Sequence, residues 1–596
     1  MNLRTRIAAL ALAGASLIAT PSIAETAKPV AAASAAALDA YFDGVEKSAP
    51  AAPLGAEEDY RAFAQKLGER GAIAFGSFVD EGAGAVARDV VLTVGENKSA
   101  GVRIGELRLY KGGAGAKGEA VAERIDARGV SSFGMEALIE ETTSAYAKAI
   151  VEGVEGAAGK ELEPGAKADL EPSARVETYD LAVERVIIDG LIVHAPDKKP
   201  SSEIDELGAL MRLSASMSRA TSARAMVARG MTAEISSRVS DTTSRVKLEM
   251  PFYGLRGVAR GDVEATVLSG LRFSLDGASA PAKGAPAIPV AMEGGVERYT
   301  ITGLRLAKLF DYWSRGESPP PKEADLMSLG VWESRKERYT LGGQPLYSLD
   351  YAKTDLSKFR WFLPTQIRST VSNLNYDIGG LLRFSQSTAP QAEGAQNLTQ
   401  MISLLDKHGF SAVSASGDIV YDWAPATGVS SIVSKNELKT LGRIDFETSA
   451  GLPTFKEFSA LHPRKGEPFD TAKLSQLLAD ATLQRGALSV ADAGMLPRLF
   501  ALAADMQALQ MGGAPGAIKP AELRAGAAFS LRSLGAAPTP LAPVYAAIAD
   551  FVADGGTLDL SVSPAAPIPL SLIMVPGPDG EDPLTRLNIT ARRTPN

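Results

Sequence analysis

The chain has 596 residues, is 45% hydrophobic and 22% charged, and carries a formal net charge of −8. That balance belongs to a folded globular protein, and the length calls for several structural units. An acidic chain without a basic cluster is a poor nucleic-acid partner, and the absence of cysteine excludes thiol catalysis, thiolate metal sites and redox motifs.

Arg4 and Arg6 form a short positive segment ahead of an uncharged apolar run from Ile7 to Ala19. Thr20 and Pro21 break the run, and Ser22 and Ala24 put small residues where a signal peptidase reads them. The pattern predicts a Sec signal peptide over residues 1–24, cut after Ala24, and hence an exported, periplasmic protein. Losing both arginines would take the charge from −8 to −10. A spanning helix needs ~20 apolar residues. This run is shorter and no later stretch reaches that length, so no transmembrane span is expected in the mature chain. An outer-membrane barrel would show evenly spaced alternating segments, whereas helical segments interrupt them here.

Pro, Gly and Ala concentrate in Gly159–Pro172, Asp276–Pro289 and Gln386–Gln396, with a further break at Ser318–Pro321. The two later stretches delimit an N-terminal region (25–275), a middle region (290–385) and a C-terminal region (397–596). In chain order, Val102–Tyr110 reads as a strand, and Gly113–Gly118 matches GxGxxG. A phosphate-binding loop must open a helix, but Glu119–Ala127 alternates like a second strand, which predicts a hairpin loop instead. Ile125–Val130 and Val186–Leu191 each look like a strand ending in Gly and an apolar residue. A helix is expected after each, over Met135–Val151 and from Ser202, the latter capped by Ser202 and Asp205. Ser244 and Lys247 match SxxK, but the alternation of Val246, Leu248 and Met250 puts them on a strand, where positions three apart face opposite ways.

The strand–Gly–helix unit returns at Tyr299–Leu304 before Lys308–Trp313, at Ile444–Leu452 before Phe455 and Phe458, and at Leu488–Leu496 before Leu499 and Phe500. Ile419, Tyr421 and Trp423 share one strand face, and Leu558, Leu560 and Val562 share another, as do Leu587, Ile589 and Ala591. Leu474, Leu477, Leu478 and Ala481 form a helical stripe, as do Val544, Ile548 and Phe551 after Pro543. Strands dry on one side and wet on the other define an α+β protein: extended, mainly antiparallel sheet with amphipathic helices on one face.

The chemistry is sparse. His194, His408 and His462 lie far apart without metal-ligand spacing, and His408 before Gly409 reads as the end of a helix. Glu57–Asp59 and Glu140–Glu141 read as solvated charge, and Pro576–Asp582 as a turn. No cofactor or metal ion is expected, and no catalytic residue can be named.

The succession Ala487–Leu496, Ala521–Arg524, Ile548–Phe551, Gly556–Leu560 and Pro564–Pro567 resembles the C-terminal part of uncharacterised exported proteins of Gram-negative, alphaproteobacterial type. The resemblance implies a periplasmic location and no chemistry. The leading expectation is a non-enzymatic envelope scaffold, or a protein that binds an apolar ligand such as a lipid in a groove on its sheet. Two alternatives stand beside it: a hydrolase whose site is assembled from dispersed Ser, Asp, Glu and Lys residues, and an outer-membrane-associated partner protein.

Overall fold

The computed structural model describes residues 35–67, 72–94, 99–111, 119–136, 174–194, 215–216, 218–239, 242–279, 288–388, 395–462, 471–536, 539–573 and 583–595. The expected cleavage residues Ser22 and Ala24, the GxGxxG loop, the helix expected over Met135–Val151 and the cap at Ser202 and Asp205 lie outside these residues, apart from the first two positions of that helix. Two compact units divide the chain, Met1–Ser334 and Arg335–Asn596.

The first unit is α1 (Ala35–Lys47), α2 (Glu57–Leu67) and a long antiparallel meander. β1 (Ala72–Ala74) and β2 (Ser77–Asp80) both pair with β3 (Ala85–Val94). β4 (Ala100–Lys111), β5 (Ala120–Phe133), β6 (Ala174–Val193), β7 (Thr221–Val239), β8 (Thr242–Ala259), β9 (Asp262–Ser279) and β10 (Ile288–Arg305) follow, each paired with the last. The SxxK residues lie on β8, as their alternation required. β4 and β5 are paired neighbours. The stretch Asp276–Pro289 departs from expectation, because its ends are the paired termini of β9 and β10.

The strand–Gly reading needs a larger correction. Gly129 and Gly190 do not end strands, since β5 continues to Phe133 and β6 to Val193. Both have left-handed φ, 61° and 63°, as do Gly230, Gly257, Gly270 and Gly303 further along the meander. Six residues before each stands Glu123, Glu184, Arg224, Pro251, Glu264 or Glu297. The register aligns them: Glu123, Gly190, Arg224, Gly257, Glu264 and Gly303 form one line across the sheet. Apolar side chains sharing a cluster are three apart across this line, Ile188 with Leu191, Met226 with Ala223 and Leu255 with Val258. An ordinary strand returns to the same face after two residues. In β6, β7 and β8 the strand therefore changes face at this line without ending.

Helix α1 lays Leu38, Phe42 and Val45 on Ile187, Val227, Phe252 and Val267. Gly254 lets Phe42 sit against the backbone; a Cβ there would lie 2.8 Å from the ring. Helix α2 buries Tyr60 among Val90, Leu109, Ile125 and Leu191. Its hydroxyl donates to the Ala85 carbonyl (2.6 Å) and accepts from the Leu109 N–H (2.9 Å). α3 (Ala307–Ser314) follows β10 as expected, with Asp262 accepting from the N–H groups of Leu306 and Ala307 at 2.8 Å each.

β11 (Gly330–Leu341) carries the chain into the second unit, which begins with β12 (Gln344–Arg360) and β13 (Leu363–Asp377). Next come α4 (Ile378–Thr388), α5 (Ala395–His408), β14 (Ala412–Trp423), β15 (Val429–Leu438), β16 (Gly442–Gly451), α6 (Phe455–Ser459), α7 (Thr471–Ala479) and β17 (Thr482–Asp492). The chain closes with α8 (Met495–Gln510), α9 (Pro520–Gly535), α10 (Ala542–Asp554), β18 (Thr557–Val562), β19 (Ile568–Pro569), α11 (Pro583–Arg586) and β20 (Ile589–Thr594). Strands β12 to β18 pair antiparallel in sequence, and β20 adds to β18. Here the strand–Gly–helix reading holds: Gly494, with φ 119°, is the N-cap of α8, and the capping box of Thr454 and Glu457 starts α6. Among the described residues, no helix is long and apolar enough to cross a membrane.

Candidate functional site

Alternation gives the sheet of the second unit two unlike faces. On one, Thr370, Asp418, Lys435, Asp445, Ser489, Asp559 and Arg592 follow one another strand by strand. Thr370 donates to Asp418 and Ser489 to Asp559, both at 2.6 Å. On the other face, Ile419, Ser434, Phe446, Leu488 and Leu560 form one row, and Ile367, Tyr421, Ile432 and Thr448 form the next.

Among the described residues, helices cover this apolar face at its ends. At one end Leu496 of α8 and Phe551 of α10 pack on Val490, Leu558 and Leu560. At the other, the Phe458 ring of α6 meets Trp423 edge-on at 5.9 Å. Between them Ile419, Ile432 and Phe446 are 45%, 37% and 42% exposed, whereas Trp423 and Leu558 are buried. The exposed strip spans β14 to β16, roughly 10 Å at ~4.8 Å per strand. The Trp423 indole N–H at its edge is buried and has no hydrogen-bond partner among the described residues, a costly state for a donor.

A second constellation lies in the first unit. Glu119, just before β5, His194, just after β6, and Ser222 on β7 converge. The Glu119 carboxylate stands 2.8 Å from His194 Nδ1, and His194 Nε2 stands 2.8 Å from the Ser222 hydroxyl. An ionised carboxylate only accepts, so Nδ1 donates to Glu119, and in the neutral imidazole Nε2 is then the acceptor for the Ser222 hydroxyl. The His194 and Glu119 side chains are 12% and 19% exposed.

The other histidines behave differently. His408 ends α5, as its position before Gly409 predicts, and its Nε2 also donates to Asp505 at 2.8 Å. Lys407 (2.7 Å) and the Gly516 N–H (2.6 Å) complete the ring of donors around Asp505. Burial pushes this carboxyl up, but the three donors outweigh it and hold it below the usual aspartate range. His462 stacks edge-on against Trp361. Glu57 begins the first turn of α2 and pairs with Arg61. Leu478 of the α7 stripe faces solvent, 45% exposed, while Ala481 is buried beyond the helix. Leu587 is buried just before β20 rather than on it.

The glycine line was open to sequence inspection through its spacing, a Glu, Arg or Pro six residues before each Gly. The Glu119–His194–Ser222 chain had no sequence signal, because its members sit on three strand ends far apart in the chain.

A family model described as "Uncharacterized protein" matches residues 436–594, the part of the second unit from β15 to β20. No curated protein matches the chain.

Proposed function

We propose that this is an exported envelope protein whose second unit holds the apolar chain of a lipid on its uncovered sheet face. The observation that carries the reading is the exposure of Ile419, Ile432 and Phe446 side by side between two helix-covered ends. Fully burying one such side chain contributes about 1.5–3 kcal/mol. Covering the exposed fraction of these three therefore offers a ligand about 2–4 kcal/mol. Ser434 and Thr448 interleave with them and keep the strip from closing into a dry core. The signal-like segment ending at Ser22 and Ala24 supports delivery to the envelope, where lipids are the abundant apolar ligands.

Native mass spectrometry and solvent extraction of protein recovered from the periplasm test the reading. A co-purifying acyl lipid is expected, absent from an Ile432→Asp/Phe446→Asp variant that still melts cooperatively. Native spectra that show no lipid on the wild type, or the same lipid on wild type and variant, would overturn it.

A further inference from the structure

We propose that Ser222, His194 and Glu119 form a nucleophilic site that cleaves a carboxylic ester. The inference is independent of the apolar strip, which belongs to the other unit. Three features carry it. The two hydrogen bonds, 2.8 Å each, run from carboxylate to Nδ1 and from Nε2 to hydroxyl, the order in which an imidazole can take a serine proton. The site is fixed by sheet register rather than by a loose loop: Val121 and Ala120 pair with Ile192 and Val193, Ser222 pairs with Ile192, and the His194 N–H bonds the Ala220 carbonyl at 2.7 Å. The His194 and Glu119 side chains are mostly withdrawn from solvent, which strengthens their mutual interaction.

In the first step the Ser222 oxygen bonds to the carbonyl carbon while its proton passes to His194 Nε2. The ester C–O bond then breaks, and the leaving alkoxide takes that proton and departs as an alcohol. Water attacks the acyl-serine, giving its proton to Nε2. The carboxylic acid leaves as the Ser222 oxygen recovers the proton. Glu119 touches no reacting atom; it is a positioning residue that keeps Nε2 free to accept. With the imidazole neutral, as the proton transfer requires, the one full charge of the trio is that of Glu119, so a neutral ester carbonyl approaches more readily than an anionic phosphoester.

The test is labelling of the purified full-length protein with a fluorophosphonate probe, followed by intact mass and peptide mapping, alongside hydrolysis of a short p-nitrophenyl ester. A single adduct on Ser222 is expected. Ser222→Ala, which removes one oxygen, should abolish it without moving the melting temperature by more than a few degrees. His194→Gln should slow both labelling and hydrolysis by about 10²-fold or more. Glu119→Gln should slow them as well, and Glu119→Asp should restore part of the rate, which a purely structural carboxylate would not do. Absence of any adduct on the folded wild type, an adduct on another residue, or a Ser222→Ala variant that hydrolyses ester at the wild-type rate would overturn the proposal.

Discussion

The line of left-handed glycines makes a quantitative claim at Gly190. Arg224 on β7 reaches across Gly190 to bond Glu123 on β5 at 2.9 Å, and it also holds Asp189 through bonds of 2.8 and 3.1 Å. A methyl group on Gly190 would sit 2.8 Å from the Arg224 Nε and 3.0 Å from its Cγ. Gly190→Ala therefore has two costs. Left-handed φ for an L-residue costs about 1–2 kcal/mol. Displacing Arg224 forfeits ion pairs that, at its 57% side-chain exposure, contribute at most about 1 kcal/mol. The total is about 1–3 kcal/mol, and in an Arg224→Ala background only the backbone part of about 1–2 kcal/mol is left. Urea unfolding of the wild type, both single variants and the double variant measures the coupling, expected near 1 kcal/mol. A Gly190→Ala variant within about 0.5 kcal/mol of wild type, or equal costs in both backgrounds, would refute the reasoning.

Three further outcomes follow from named contacts. Tyr60→Phe removes the acceptor of the buried Leu109 N–H and should cost about 1–3 kcal/mol in denaturant unfolding, with no change in the circular dichroism of the folded state. Burial pushes the Tyr60 phenol up to about 12, so its absorbance should titrate only near or above that pH while the protein stays folded. The depressed carboxyl of Asp505 contributes stability that is present above the ordinary aspartate value of about 4 and is lost as pH falls through its lower folded value. Thermal melts of Asp505→Asn against pH should thus show a lower plateau at neutral pH and a flatter acid limb than wild type. A variant with the same acid limb as wild type would contradict the assignment.

Period-two patterning made the fold class legible. The alternation around Asp418–Trp423 and Leu558–Val562 identified antiparallel strands and even which side was apolar. It could not say what covers that side, because coverage depends on where α6, α8 and α10 dock. The same alternation misled at Val186–Leu191: the apolar step of three across Gly190 looks like a strand ending, when it is a turn of the backbone within one. The local pattern was right where Gly truly precedes a helix, as at Gly494, since there the left-handed residue sits at the N-cap and the ladder stops. The trio of Glu119, His194 and Ser222 was illegible for a different reason. Its proximity is set by cross-strand register over three strands, and nothing local to any one residue records it.

The most direct test of the central claim is photocrosslinking with a diazirine-bearing fatty acid, followed by peptide mapping of the adduct. The account predicts adducts confined to the strands that carry Ile419, Ile432 and Phe446, competed by unlabelled fatty acid and lost in Ile432→Asp/Phe446→Asp. Saturable labelling elsewhere in the chain, or equal labelling of wild type and that variant, would contradict it.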